Sequence, residues 1–364
     1  MKTRTRVNQI GTRMISVASL LFVMVILAVP PSNLAQETEA IHDGLDCSIP
    51  AKFKKSRPHP RGTPTPVQIG ILIIDIDAIN DAKQTYNADA FGFFSWNDPR
   101  LSEKSLGRSL EDCRVMLNEI WYPPLASVNR IKGEKLLQDF VDIDKNGTVR
   151  YKQRYSSELS SDFDFRNFPF DTQVLNTTIV SYGQDEDEIV LSVDSKSTGM
   201  LKEISVEGWS IELDDPVIRT EYVATQNRRV PRIDFRLSAK RVSGYYLWKV
   251  MVPLGFIVFM AWSVFWIDPS QIGPQIGVST ASVFTLIAYR FSLGFLLPRV
   301  AYFTRMDKYV LLSTVLVFLA LGEAITTCKI AAEGKKDLAL RIDRWARVIY
   351  LILFAIVITF SVLV

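Results

Sequence analysis

Four long apolar runs in the final third of this 364-residue chain constrain its fold more than any other feature. Each is about 20 residues long, enough at a helical rise of about 1.5 Å to cross a hydrocarbon core of roughly 30 Å. Because a bilayer offers no water to backbone groups, each run is predicted to be a helix. The alternative, buried helices of a soluble protein, is disfavoured because four consecutive runs of this length are hard to bury otherwise. The predicted spans are 245–267, 275–297, 305–330 and 345–364.

The N-terminus carries a fifth apolar run with a different meaning. A basic start precedes an apolar stretch of moderate length and a polar end with a small residue suited to cleavage. Residues 1–35 are therefore predicted to be a secretory signal peptide. The alternative is an uncleaved anchor helix, and in both cases the region that follows is exported.

Basic residues between the third and fourth runs predict the topology independently. Short loops rich in Lys and Arg stay in the cytoplasm. The loop is therefore predicted to be cytoplasmic, which returns the C-terminus to the exported side, where the N-terminal region lies. The basic residues are Lys329, Lys335, Lys336, Arg341, Arg344 and Arg347.

Composition argues against several functional classes. The net charge is only +3, and no basic patch is interleaved with aromatic residues, so nucleic acid is not an expected partner. With His42 and His59 as the only histidines, histidine catalysis and histidine metal sites are nearly excluded. No nucleophile, base and orienting residue can be assembled from motif spacing, so neither an enzyme nor a cofactor is expected. Cys47 and Cys113 could pair or remain thiols, whereas Cys328 is expected to be free.

The region before the helices divides into a leader and a strand-rich domain. Residues 36–66 are polar and proline-rich, which predicts an extended leader without a packed core of its own. From 67 to 243, short runs alternate apolar and polar residues, as at Val149 and Tyr151 on either side of Arg150. The expected fold is an immunoglobulin-like antiparallel β-sandwich, followed at 244–364 by a four-helix transmembrane domain.

Each of two acidic segments could be a cation site or an ordinary turn or loop. Residues 142–147 begin like a calcium loop, but Gln153 stands at the closing position, where calcium needs a bidentate Glu. Asn146-Gly147 between alternating runs is better explained as a tight hairpin turn. The acidic run 185–188 is predicted to be a solvated loop, with a surface cation site as the alternative.

The segment from Ser161 to Gly183 resembles the signature loop of pentameric ligand-gated ion channels, the Cys-loop receptor family. The likeness lies in Phe168-Pro169-Phe170-Asp171 and in the Ser-Tyr-Gly that ends the segment. Ser161 and Leu175 occupy the positions of the bridging cysteines of animal members. A missing bridge is typical of the prokaryotic branch, and the resemblance extends over roughly 67–364. Further motifs similar to bacterial members are Ser243–Trp248, Pro253, Trp262–Trp266, Ala288–Phe291 and Leu297–Arg299.

The resemblance implies a homopentamer in the bacterial inner membrane that conducts small inorganic ions. Its ligand, a small-molecule agonist or protons, would act on sandwiches of neighbouring subunits, and five copies of the second helix would line the pore. A non-conducting exported sensor or binding protein anchored by four helices is the alternative function.

One face of the second helix is the candidate pore lining. Helical spacing selects this face, and when anchored on Pro298 it matches the family's pore positions. Rings of five phenylalanines could close such a pore by dewetting. The alternative is that this stripe packs against other helices while Thr280, Val283 and Ile287 line the pore. The face comprises Gly277, Ala281, Phe284, Ala288, Phe291 and Phe295.

Ion selectivity follows less directly from the sequence. Cation-selective members tend to carry a glutamate ring at the cytoplasmic mouth, where this chain has Gly273, Pro274 and Gln275, with Asp268 nearby. Pro274 followed shortly by Gly277 is similar to anion-selective members, so anion conduction is the alternative. Cations are favoured because bacterial relatives tend to conduct them.

The resemblance also implies a ligand site and a coupling site. Tyr182 and Tyr222 match aromatic positions of the ligand site, Phe91 matches one from the neighbouring subunit, and Ser127 and Val128 stand where an aromatic residue is often found. Aromatic faces suit an ammonium ligand, whereas Arg150, Arg228 and Arg229 favour a carboxylate, so both chemistries stay open. The coupling residues implied at the domain boundary are Asp171, Arg241, Pro298 and Asp81. A buried Asp171–Arg241 pair would need both partners; a surface ion pair of small energy is the alternative.

Overall fold

The computed structural model describes residues 47–60, 62–225, 227–294 and 297–363. The predicted signal peptide, the first part of the predicted leader and Phe295 lie outside these residues. The described chain consists of a β-sandwich followed by four helices long and apolar enough to cross a membrane. The predicted fold class is confirmed.

Two sheets form the sandwich, and apolar side chains of both sheets contribute to its core. The first sheet runs β10-β1-β2-β7-β6-β3, with β5 beside β7 and β9 beside β1; the second runs β11-β13-β8-β4, with β12 beside β13. Pairing is antiparallel except where β1 meets β9 and β10. The strands are β1 (Thr65–Asn80), β2 (Thr85–Asn97), β3 (Val115–Met116), β4 (Leu125–Ser127), β5 (Arg130–Lys135), β6 (Phe140–Ile143), β7 (Thr148–Ser160), β8 (Thr172–Ser181), β9 (Ile189–Val193), β10 (Gly199–Met200), β11 (Trp209–Leu213), β12 (Val217–Val223) and β13 (Arg228–Arg241).

The alternation predicted for β7 is present. Val149 and Tyr151 are buried, while Arg150 and Lys152 are exposed on the opposite face. This alternation follows from the two-residue period of a strand with one face on the core. It leaves Arg150 and Lys152 exposed on the outer face of the first sheet.

A tight turn joins β6 to β7, as the Asn146-Gly147 pair predicts. Gly147 has φ of +81°, and a Cβ there would lie 2.3 Å from the carbonyl oxygen of Asp98. Only glycine fits this position. The Asp144 carboxylate accepts the backbone N–H groups of Asn146 and Thr148 at 2.9 Å each, so it stabilises the turn.

The segment before β1 is tied to the sandwich. Cys47 and Cys113 form a disulfide, which answers the question that the sequence left open. Arg57 donates to the carbonyl oxygen of Glu188 at 3.0 Å, and β1 begins at Thr65, two residues inside the predicted leader. Short helical segments in this part of the chain are Lys52–Lys55, Pro99–Leu101, Glu103–Leu106 and Leu117–Glu119.

The four spanning helices differ from the apolar runs at their ends. The fourth begins at Lys336, well before Trp345, because its first turns carry charged residues that a hydropathy pattern leaves out. Only a few residues therefore separate it from the third helix, and most of the basic cluster lies on helix ends. The helices are Gly244–Trp266, Ile272–Leu293, Arg305–Ala332 and Lys336–Leu363.

The first spanning helix contains one wide π-helical turn, Leu247–Met251, just before Pro253. A proline removes a backbone donor, and a π turn leaves carbonyl groups free to accept from elsewhere. The Tyr289 hydroxyl donates to Val250 O at 2.8 Å, and the Tyr309 hydroxyl donates to Met251 O at 3.0 Å. The second and third helices are thereby bonded to the first.

Candidate functional site

Arg241 is the centre of a charged cluster where the sandwich meets the helices. Its Nε and Nη2 donate to the two carboxylate oxygens of Asp171 at 2.8 and 3.1 Å, and its Nη1 and Nη2 donate to Asp81 at 2.8 and 3.0 Å. The Arg241 side chain is 5% exposed and that of Asp171 1%. The structure thus brings three of the four predicted coupling residues together, and buries the Asp171–Arg241 pair instead of leaving it on the surface.

Aromatic rings enclose the same guanidinium. The ring centroids of Trp209 and Phe168 lie 4.1 and 4.8 Å from Arg241 Cζ. Burial alone would lower the pKa of Arg241, but the hydrogen bonds to Asp171 and Asp81 raise it above its ordinary value. The cation is therefore held by charge and by ring faces. Sequence analysis missed Trp209, because nothing in the sequence around a tryptophan at a strand end indicates which residue it contacts.

The signature loop connects this cluster to the third spanning helix. The backbone N–H groups of Arg305 and Met306 donate to carbonyl oxygens of the loop, at Arg166 and Phe168, over 3.1 Å each. The Tyr302 hydroxyl accepts from the backbone N–H of Phe165 at 2.9 Å. These contacts fix the loop to the start of the helix.

Pro298 lies in the connection between the second and third helices. Among the described residues, Tyr302, Arg305 and Met306 form the hydrogen bonds between the signature loop and this part of the chain. Pro298 forms none of them. Tyr302 is a second residue that sequence analysis missed.

Tyr182 and Tyr222 lie at one end of the second sheet. Tyr182 directly follows β8, and Tyr222 on β12 pairs in register with Arg229 of β13. Arg228 donates to the carbonyl oxygen of Gly183 at 3.0 Å, which ties the segment after β8 to the β12–β13 hairpin. Tyr182 is 65% and Tyr222 58% exposed. Three predicted ligand residues, the two tyrosines and Arg228, therefore lie at one exposed end of this sheet.

Phe91 and Arg150 lie elsewhere, on the outer face of the first sheet. The Phe91 ring has the cations of Lys152 and Arg154 at 5.8 and 5.9 Å from its centroid. Arg150 donates to the Asp144 carboxylate at 3.0 Å. One chain alone does not bring these residues to the tyrosine end of the second sheet.

Ser127 and Val128 occupy the edge of the second sheet beside β8. Ser127 pairs in register with Ile179, and its hydroxyl oxygen is buried without a hydrogen-bond partner among the described residues. Val128 is 56% exposed, and its backbone N–H donates to Thr178 O at 3.1 Å. This edge is next to the strand that leads to Tyr182.

The second spanning helix leaves the predicted pore face exposed in the single chain. Phe284 is 67% and Phe291 76% exposed. Of the residues that the alternative placed in the pore, Val283 is 8% and Ile287 41% exposed. The exposed positions of the predicted face are Gly277, Ala281, Phe284, Ala288 and Phe291, and the buried positions of the helix are Gln275, Ser279, Ser282, Val283, Leu286 and Leu293. The stripe is therefore not packing within the bundle.

The start of the second helix has its polar groups paired. The Lys336 ammonium donates to the Asp268 carboxylate at 2.8 Å, and this bond lowers the pKa of Asp268 to about 2. Gln275 is buried and turned toward the third helix, where its amide donates to Thr327 Oγ1 at 3.4 Å and accepts from the Cys328 thiol at 2.8 Å. Gln275 is thus not part of the exposed face.

Comparison with protein families gives two consecutive matches. Residues 52–242 match the neurotransmitter-gated ion-channel ligand binding domain, and residues 250–336 match the neurotransmitter-gated ion-channel transmembrane region. The boundary between the matches lies just after Arg241, at the charged cluster.

Two characterised proteins resemble most of the chain. A proton-gated ion channel from Gloeobacter violaceus is 26% identical over 291 residues, 80% of each chain. The gamma-aminobutyric acid receptor subunit beta-4 of Gallus gallus is 25% identical over 318 residues, which are 85% of this chain and 64% of the receptor subunit.

Proposed function

The chain belongs to the neurotransmitter-gated ion-channel family, and we propose that it forms a homopentameric ion channel whose pore is lined by the second spanning helix. The observation that carries this proposal is the exposed stripe on that helix, from Gly277 to Phe291. Side chains left exposed by a bundle face either lipid or further copies of the chain. The second helix is the least hydropathic of the four, which favours a position away from lipid.

The stripe suggests where the pore closes. Gly277 and Ala281 have small side chains, so five copies would leave the first half of the pore wide. Phe284 and Phe291 point away from the bundle, and five copies of each would form two apolar rings that exclude water and ions. Phe295, the last residue of the predicted face, lies outside the described residues.

We further propose that the ligand binds between neighbouring sandwiches. One chain presents Tyr182, Tyr222 and Arg228 at one end of the second sheet. Ser127 ends the edge strand β4 of this sheet, and Val128 directly follows it. Phe91 and Arg150 are on a different sheet, so a second copy of the chain is needed to bring the two sets together. The named relatives respond to protons or belong to a receptor for gamma-aminobutyric acid, so the agonist is a small molecule or protons.

Orientation and selectivity complete the proposal. We propose a bacterial inner-membrane protein whose turn between the third and fourth helices is cytoplasmic, because basic residues concentrate at this turn. The sandwich and the C-terminus would then lie on the exported side. We propose cation conduction. The Asp268 carboxylate near the start of the second helix is ionised, although Lys336 balances its charge.

Native mass measurement of the purified protein in lipid tests the assembly. The expected mass is that of five chains, and the same sample should carry ions across liposome membranes when an agonist or acid is added. A stable monomer or dimer contradicts the proposal. A pentamer that binds ligand without ion flux would instead favour the non-conducting sensor.

A further inference from the structure

Two carboxyl groups face each other inside the helix bundle. Glu323 is on the third spanning helix and Asp343 on the fourth, and the residue Asp343 is 0% exposed. All four carboxyl oxygens are buried and lack a hydrogen-bond donor among the described residues. The two groups are close enough that a proton on one would hydrogen-bond the other.

The hydrogen-bond donors next to the two carboxyl groups bond to other acceptors. The Thr327 hydroxyl, beside Asp343, donates to the carbonyl oxygens of Glu323 or Ala324 at 3.1 and 3.3 Å. The Cys328 thiol donates to Gln275 on the second helix. With these bonds formed, neither group donates a hydrogen bond to the carboxyl oxygens of Glu323 or Asp343.

The nearest charged side chains in the described part of the chain form no ion pair with Glu323 or Asp343. Arg347, one turn further along the fourth helix, acts on Asp343 electrostatically, but its Nε donates to Phe265 O at 3.0 Å and its guanidinium lies 4.2 Å from the Trp266 ring centroid. Asp268 adds negative charge from the loop before the second helix, and Lys336 is bonded to Asp268.

Two facing carboxylates cannot both stay ionised in such a place. Each buried charge costs several kcal/mol to desolvate, and like charges at short range add repulsion. One proton removes the repulsion and turns the contact into an O–H···O⁻ hydrogen bond, which is among the strong ones. Ionisable residues inside membranes commonly pair with one another in this way.

We propose that Glu323 and Asp343 form a proton-binding site that fastens the fourth spanning helix to the third. Release of the proton as the pH rises leaves two facing negative charges, which drive the helices apart and admit water. Gln275 is bonded to Thr327 and Cys328 next to this site, so the start of the second helix moves with it. This last consequence for gating rests on the proposed channel function, whereas the proton site does not.

Infrared spectroscopy of the full chain in lipid vesicles tests the proton site directly. At neutral pH the wild type should show the C=O stretch of a protonated carboxylic acid, shifted in D₂O and lost at alkaline pH. The band should be absent from the Glu323→Gln/Asp343→Asn double variant, whose amides preserve size and can still bond each other. Asp337→Asn, which changes an exposed carboxylate on the same helix, should leave the band unchanged.

Thermal unfolding supplies a second readout that needs no current. The wild type should lose stability as the pH rises and the proton leaves, while the double variant should show a flatter pH profile. A wild-type spectrum without the protonated band at neutral pH overturns the proposal, as does a band that survives in the double variant. If the protonated-carboxyl band is present but the protein conducts no current in bilayers, only the proposed channel function is contradicted.

Discussion

Arg241 and Asp171, 70 residues apart in sequence, form a buried bidentate ion pair at the point where the sandwich meets the membrane helices. Asp171 belongs to the signature loop, and Arg241 ends the strand that leads into the first spanning helix. Movement of either domain therefore acts on the same pair. We therefore expect the cluster to transmit ligand binding in the sandwich to the helices.

If the pair transmits movement, Asp171→Asn and Arg241→Gln should each impair gating, and the double variant should lose much less than the sum. Removing one partner of a buried pair costs about 3–5 kcal/mol, and interaction energies between contacting residues are about 0.5–3 kcal/mol. Open probability and thermal unfolding in lipid, measured for the wild type, both single variants and the double variant, give the interaction energy of the pair. The exposed pair Arg166–Asp164 on the same loop is the control and should show little coupling. Additive losses at Asp171 and Arg241 would mean that the residues act separately.

Apolar rings at Phe284 and Phe291 should hold the pore closed. Replacing either with alanine widens and wets the constriction, so the resting current should rise or activation should need less agonist. Phe256→Ala is a matched control, because this phenylalanine is similarly exposed, at 68%, but is on the first helix. Resting currents that match the wild type in both pore variants would place the gate elsewhere.

The ligand site predicts a shared effect of residues on different sheets. Tyr182→Ala, Tyr222→Ala and Phe91→Ala should each weaken the same agonist and leave single-channel conductance unchanged, because these residues lie in the sandwich rather than in the helix bundle. Concentration–response curves against a panel of amines and carboxylates measure the effect. Ile218→Ala, on the same strand as Tyr222 and 46% exposed, is the control. An agonist indifferent to all three substitutions binds elsewhere.

Lys336 should control the charge at the start of the second spanning helix. Because the pKa of Asp268 is lowered to about 2, its carboxylate is ionised at neutral pH, and Lys336 balances it. Lys336→Gln should therefore shift the reversal potential in a salt gradient toward greater cation preference. Lys335→Gln, which changes an exposed lysine paired with exposed Glu333, should shift it less. Equal reversal potentials for wild type and Lys336→Gln would mean that the charge of Asp268 does not influence ion selectivity.

The sequence predicts the architecture because its signals are local. Apolar runs of spanning length, alternation in β7 and the Asn146-Gly147 turn each depend on neighbouring residues only. Helix ends are less predictable, since the charged first turns of the fourth helix contribute no hydropathy. The π turn before Pro253 also has no pattern of its own.

Pairings between distant residues need the tertiary structure or a resemblance. Asp171 and Arg241 could be paired from the family's motifs, but Trp209 and Tyr302 could not, because nothing in their local sequence identifies the partner. Glu323 is visible as a carboxylate in an apolar run, yet its partner Asp343 is known only once the third and fourth helices pack together. Likewise, the disulfide between Cys47 and Cys113 depends on how the segment before β1 lies on the sandwich.

Current recorded from the purified protein in planar bilayers tests the central claim most directly when a cysteine is placed on the exposed face of the second helix. Ala281→Cys should give agonist- or acid-evoked unitary currents that a charged, membrane-impermeant thiol reagent blocks, because five modified side chains would narrow the pore. The wild type, whose described free cysteine Cys328 is buried, should be insensitive to the reagent. Pentamers that carry no current under any agonist or pH, or currents that ignore modification at Ala281→Cys, would contradict a pore lined by this helix.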